Sequence, residues 1–214
     1  MPTNEILASL GIDPQIVSEP FVSGAAGQFV DPAGARVVLI SAETTRGFRQ
    51  VLEAEQPGAW SAAMKASGVS SGLKIATGLD ATLTRLGKPA LAALPLEACL
   101  ALLELTFAAN GWGRLTVDLA DAADQGFVVA RLEHGFQVES LAGVDEFVDA
   151  MVAGVLQAFF GQISGQVLGC EEIGCARRGL PHCTFVITDP ERLASLASLI
   201  GREPVDAVLA RLRQ

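Results

Sequence analysis

The sequence predicts an α+β fold, with a mainly antiparallel sheet packed against helices. Two observations carry this expectation. Four short runs alternate between apolar and polar residues in the manner of half-buried strands, and they fall into two pairs: Arg114 to Leu119 with Phe127 to Glu133, and Gln166 to Glu172 with His182 to Ile187. Around and between the pairs lie longer segments whose apolar residues recur every three or four positions, as on a helix face. Strand pairs set apart by helices point to an antiparallel sheet rather than to alternating βαβ units.

Residues 3–18 read as short helices, with Thr3 or Asn4 as a cap for the first and Asp13-Pro14 opening the second. Gly27 to Val30, the turn Asp31-Pro32-Ala33-Gly34, and Arg36 to Ile40 form a hairpin pattern. Thr44 to Gln56 reads as a helix. Pro57 to Lys88 is helical in pattern but carries five glycines, and a break is expected near Gly68 to Gly72. Pro95 opens a helix with Leu96, Leu100, Leu103 and Phe107 on one face, and Gly111-Trp112-Gly113 ends it. Ala120 to Gly126 is an acidic surface loop. The stripe Val144, Phe147, Val148, Met151, Val152, Val155, Leu156 and Phe159 predicts a helix over 144–160, with Asp145 and Glu146 favourably placed at its N-terminus. Cys175 to Pro181 is the turn of the last hairpin, Asp189-Pro190-Glu191 opens a helix, and Pro204 to Leu212 forms the final one. In domain terms this gives an N-terminal helical segment over 1–25, a main domain over 26–188 and C-terminal helices over 189–214.

With 214 residues, half of them hydrophobic, the chain is long enough to bury a substantial core. The net charge of −9 and pI near 4.7 argue against nucleic acid and against anionic lipid as partners. No apolar run reaches the length needed to span a bilayer, and no N-terminal export signal is evident, so a cytoplasmic location is expected. Four cysteines in such a chain are expected to be thiols or metal ligands rather than disulfides. There is no GxGxxG or P-loop, and the glycine-rich Gly68 to Gly72 follows no predicted strand and so makes no GxSxG elbow, which leaves a nucleotide cofactor or a serine hydrolase unsupported.

The richest chemistry lies between Cys170 and Cys183. Three of the four cysteines, Glu171, Glu172 and His182 fall within fourteen residues, and thiolate, carboxylate and imidazole are the groups that bind Zn²⁺. Cys175 and Cys183 stand eight apart across the expected hairpin, with Glu172 three residues before the first. That trio is one short of the four ligands of a structural zinc site. Cys170, His182 and a more distant residue such as Asp149 are the candidates for the fourth. Buried thiols without metal are the plainer reading of the same residues. Cys99 is expected to be a core thiol. Trp60, Met64, Phe107, Trp112, Met151 and Phe159 are candidate walls of an apolar cavity, though core packing alone would also account for them.

These residues resemble the 4-vinyl reductase domain family, which includes a protein tied to bacteriochlorophyll synthesis and the sensor modules of phenol- and xylene-responsive activators. The likeness runs from about Gly111 to Phe185, and more weakly back to Gly27. It rests on Gly111-Trp112-Gly113 before a strand, Glu139-Ser140, a helix with Gly154, the bend at Gly165, and a closing Glu172, Cys175, Gly179 and Cys183 at the family's spacing. The resemblance implies a fold like that of TRAPP-type trafficking subunits, often dimeric and enclosing a hydrophobic ligand. It implies a structural zinc held by Glu172, Cys175 and Cys183, with Asp149 where the metal-binding sensors carry a further cysteine. It also implies a sensor module that binds a hydrophobic or aromatic molecule and acts through a partner protein. The alternatives are a subunit that reduces a vinyl-bearing tetrapyrrole or carries the pigment, and a non-catalytic scaffold.

Overall fold

The computed structural model describes residues 3–18, 22–23, 27–31, 36–141 and 146–214. Two short helices, α1 (Thr3–Ser9) and α2 (Gln15–Ser18), precede a small antiparallel ribbon of β1 (Val22–Ser23), β2 (Phe29–Val30) and β3 (Arg36–Val37). Phe29 pairs with Val37 and Val30 with Arg36, so the expected hairpin forms; 32–34 of its turn lie outside the described residues. Helix α3 (Ala42–Glu55) begins where the Ser41 hydroxyl accepts the Thr44 N–H at 3.2 Å. Its last turn is joined to the next helix by Glu53, whose carboxylate accepts the N–H groups of Gly58 and Trp60, both at 2.9 Å. Helix α4 (Ala59–Arg85) follows, then α5 (Leu96–Ala109).

The main sheet contains β4 (Arg114–Asp118), β5 (Val128–Glu133), β6 (Gly169–Gly174) and β7 (Cys183–Thr188). Its order is β4-β5-β7-β6, antiparallel throughout, with Cys183 opposite Leu132 and Glu172 opposite Phe185. The acidic loop between β4 and β5 carries a one-turn helix, α6 (Ala122–Gln125), and α7 (Phe136–Ser140) follows β5. Helix α8 (Ala150–Ser164) lies against one face of the sheet, with α5 beside it and α4 packed along it. Helices α9 (Pro190–Leu196) and α10 (Val205–Leu212) cover the other face. Two cores result. The larger gathers Leu103, Phe107, Leu132, Phe159 and Phe185 between the sheet and α5 and α8. The smaller holds Phe127, Val129, Val186, Leu196 and Val208 beneath α9 and α10. Covered on both faces, β7 is buried at all six positions rather than alternating. The α+β class is therefore as expected.

Two expectations are corrected. Helix α4 is not broken at Gly68 to Gly72; it runs unbroken for 27 residues. Its glycines make room for α8 instead. A Cβ on Gly68 would lie 2.0 Å from the Met151 carbonyl oxygen, one on Gly72 2.5 Å from that of Val155, and one on Gly154 2.3 Å from that of Lys65. The two backbones touch, and that contact repays the low helix propensity of glycine. The second correction concerns α8. It begins at Ala150 rather than Val144 and extends to Ser164 rather than Phe160. Val144 and Asp145 lie outside the described residues. Phe147 and Val148 belong to the approach, and Asp149 is the N-cap, its N–H turned to the Glu172 carboxylate.

Candidate functional site

Hairpin β6–β7 builds a buried cluster of thiols and carboxylates. The chain leaves β6 through Cys175, makes a single 3-10 turn over Ala176–Arg178 and reverses at Gly179, whose φ of +84° is the left-handed conformation that suits glycine. This brings Cys183 back opposite Cys175, and the Cys183 thiol donates to the Cys175 sulfur at 3.6 Å. The Ala176 N–H donates to the Cys183 sulfur at 3.4 Å. One ligand atom each from Glu172, Cys175 and Cys183 lie within 4.8 Å of one another, all buried. Asp149 arrives from the start of α8. Its N–H donates to Glu172 Oε2 at 2.9 Å, and its carboxylate rests against Cys183.

The electrostatics of the cluster follow from its burial. Asp149 is fully buried, and neither of its carboxylate oxygens nor Glu172 Oε1 receives a well-formed hydrogen bond. Burial raises the Asp149 pKa to about 7. It raises Glu172 well above the usual carboxylate range, and the neighbouring Asp149 charge adds to this. The hydrogen bond from Cys183 lowers Cys175 to about 6, while Cys183, as the donor, is pushed up. Uncompensated buried anions are costly, and proteins that keep such groups pair them or give them to metals. Two sulfurs held on a tetrahedral zinc at roughly 2.3 Å each would stand about 3.8 Å apart, close to the separation seen here. Among the described residues, Glu172, Cys175 and Cys183, with Asp149 beside them, form the cluster that could hold a metal.

The two alternate ligands are placed elsewhere. Cys170 is on β6 and buried in the larger core, where burial raises its pKa. His182 is half-buried and shares a hydrogen bond with the Thr184 hydroxyl at 3.1 Å. Cys99 is a core thiol that donates to the Leu91 carbonyl at 3.1 Å.

A cavity of about 620 Å³ runs along α4. Trp60, Met64, Trp112 and Met151 line it, whereas Phe107 and Phe159 do not. Phe107 is buried and meets the Trp112 ring edge-on, with centroids 5.3 Å apart; Phe159 packs in the core against Phe160. Sequence reasoning missed the opposite wall, which comes from Ile16 and Val17 of α2, Val37 to Ile40, Thr45 and Phe48 of α3, and Phe136 of α7. Along α4, Trp60, Met64, Ser67, Ser71, Ile75 and Leu79 all line the cavity. That three-to-four spacing is visible in the sequence, but the serines among the apolar residues hide it from a hydrophobicity reading. Lys74 and Asp31 form an ion pair of 2.7 Å on the cavity wall.

No protein-family model matches the sequence, and no curated protein sequence does. Solved structures do match. The phenol-responsive sensory domain of the transcription activator PoxR, determined with phenol, is similar at a TM-score of 0.66 and 19% identity, over 100% of this chain and 98% of that one. A vinyl-4-reductase family protein from Methanocaldococcus jannaschii gives a TM-score of 0.47 at 16% identity, over 71% and 83%. Subunit 3 of a trafficking protein particle complex from Naegleria fowleri, covalently bound to palmitic acid, gives 0.51 at 11% identity, over 69% and 91%. The chain has the fold of the phenol-responsive sensory domain along its whole length, and this is the fold that the resemblance in the sequence implied.

Proposed function

We propose that this chain is a sensor module that binds a hydrophobic small molecule in the cavity along α4 and passes its occupancy to a partner. The observation that carries this reading is the cavity itself, whose apolar walls come from five helices and a strand edge in a fold shared with a phenol-responsive sensory domain. An apolar hollow with a few polar groups is the usual form of a small-molecule site.

In the same reading Asp149, Glu172, Cys175 and Cys183 hold a zinc ion. With four protein donors and no open position, it supplies a cross-link between α8 and hairpin β6–β7 rather than catalysis. Met151, a cavity residue, lies two residues beyond Asp149, so the ion also steadies that wall.

The partner is first of all a second copy of the chain. Val38, Leu39, Ile40, Phe48 and Val51 are more than half exposed and adjoin the cavity. Arg46 and Arg49 hold the other flank of α3 to the Ser140 carbonyl and to Glu146. An apolar patch of this kind marks an interaction surface.

Metal analysis of the wild type beside Cys175→Ser and Cys183→Ser tests the zinc site, and titration with phenol tests the cavity. About one zinc per chain, lost in both variants together with thermal stability, supports the reading. No metal after expression in zinc-supplemented medium removes the zinc. Absence of any ligand-dependent change in tryptophan emission removes the sensor.

A further inference from the structure

The two thiols of the buried cluster are already a pair. Gly174 pairs with Thr184, so Cys175 and Cys183, one step further along each strand, face each other at the neck of the turn. Their sulfurs are 3.6 Å apart and share a hydrogen bond. A disulfide holds its sulfurs at about 2.05 Å, so closing the bond asks for a shift of about 1.5 Å between them. The other two cysteines are engaged elsewhere: Cys170 stands opposite Ile187, and Cys99 donates to the Leu91 carbonyl. Both sulfurs of the pair are buried, but the turn that joins them is open to solvent at Arg178, Gly179, Leu180 and Pro181.

The other donors of the cluster, Asp149 and Glu172, are carboxylates. Oxidation of the pair thus has one disulfide product and takes away every sulfur donor at once. Two carboxylates remain, short of the four donors of a structural zinc site.

We propose that Cys175 and Cys183 are a reversible dithiol switch, which peroxide closes into a disulfide at the expense of the cluster's hold on metal. The loss of metal rests on the reading that the cluster binds zinc; the disulfide does not. One sulfur attacks hydrogen peroxide and breaks its O–O bond, giving a sulfenic acid and water. The second sulfur displaces the hydroxyl, which forms the S–S bond and a second water. Both thiol protons leave in the water, and the two electrons lost by sulfur reduce the peroxide. Dithiothreitol reverses the step by thiol–disulfide exchange. Asp149 caps α8, and Met151 of the cavity lies two residues beyond it, so the switch acts at the edge of the ligand site.

Arg177 and Arg178 lie between the two cysteines, so tryptic cleavage turns their disulfide into a linked pair of peptides. Zinc-loaded and metal-free protein would each be treated with hydrogen peroxide, blocked with an alkylating agent, digested and weighed by mass spectrometry. Released zinc would be read with a chromophoric chelator. The linked pair is expected in the wild type and in Cys170→Ala, and should vanish in Cys175→Ala and after dithiothreitol. One zinc should leave per linked pair, and the zinc-loaded protein should oxidise more slowly than the metal-free one, because metal and oxidant compete for the same sulfurs.

Zinc uptake with no linked peptides after peroxide would overturn the switch and leave the zinc reading standing. Linked peptides with zinc retained would overturn it equally. A reduced protein that takes up no zinc would remove the zinc reading, and the metal-linked switch with it.

Discussion

The N–H of Asp149 donates to the carboxylate of Glu172 at 2.9 Å, so the first turn of α8 is fastened to β6 by a side chain and not by the sheet. Glu172→Gln separates the two roles of that carboxylate. The amide oxygen can still accept the Asp149 N–H, but the anionic donor is gone. Far-UV circular dichroism of the metal-free variant should match the wild type, while zinc affinity should fall at least about tenfold, the scale that loss of even an outer-shell partner carries.

Asp149 gives a stability test whose sign depends on metal. Burial raises its pKa from an ordinary 3.8 to about 7. The folded metal-free protein therefore binds a proton that the unfolded chain has released, and stability falls as pH rises from about 4 to 7. The rise corresponds to on the order of 4 kcal/mol at pH 8. In the metal-free state Asp149→Asn should be more stable than the wild type at pH 8 by up to about that amount, with the difference closing near pH 4. With zinc bound the order should reverse, because the asparagine has lost the anionic donor. Denaturant melts at pH 4, 6 and 8, with and without chelator, read both.

The glycines of α4 should behave in opposite ways. Gly78 has open space at its Cβ position, so Gly78→Ala should stabilise by about 0.5–1 kcal/mol through helix propensity alone. Gly68→Ala drives a methyl to 2.0 Å from the Met151 carbonyl oxygen and should cost about 3 kcal/mol or more. Thermal melts of the two variants would separate a packing role from a simple helix-breaking one. Equal effects would show that the α4–α8 contact is looser than described.

The exposed face of α3 predicts the oligomer. Val51 is 63% exposed and outside the cavity lining, so a charge there leaves the cavity walls in place. Val51→Asp should shift a dimer toward monomer by at least tenfold in dissociation constant, measured by sedimentation equilibrium. A wild type that sediments as a monomer at high concentration would remove the second copy as the partner.

The strands and the closing hairpin were legible because their patterns are local. Alternation over Arg114 to Leu119 and the Glu172, Cys175, Cys183 spacing need only neighbouring residues to be understood. The unbroken α4 was not legible, because Gly68 and Gly72 are explained by the backbone of Met151 and Val155, more than eighty positions away. The start of α8 was misplaced for a similar reason: Phe147 and Val148 extend the apolar stripe, but the helix begins where Glu172 takes the Asp149 N–H. The cavity was half legible. Trp60, Met64, Trp112 and Met151 line it, and Phe107 and Phe159 do not, because sequence marks an aromatic residue as apolar without saying whether it faces a hollow or a neighbour.

The meeting of α4 and α8 through bare backbone has a mechanical consequence. Where side chains interdigitate, one helix can roll on another by exchanging rotamers. Where Gly68 and Gly72 abut the carbonyls of Met151 and Val155, no layer is left to rearrange. Over that stretch the two helices are expected to move as one body, which ties the cavity along α4 to the hairpin that α8 packs on.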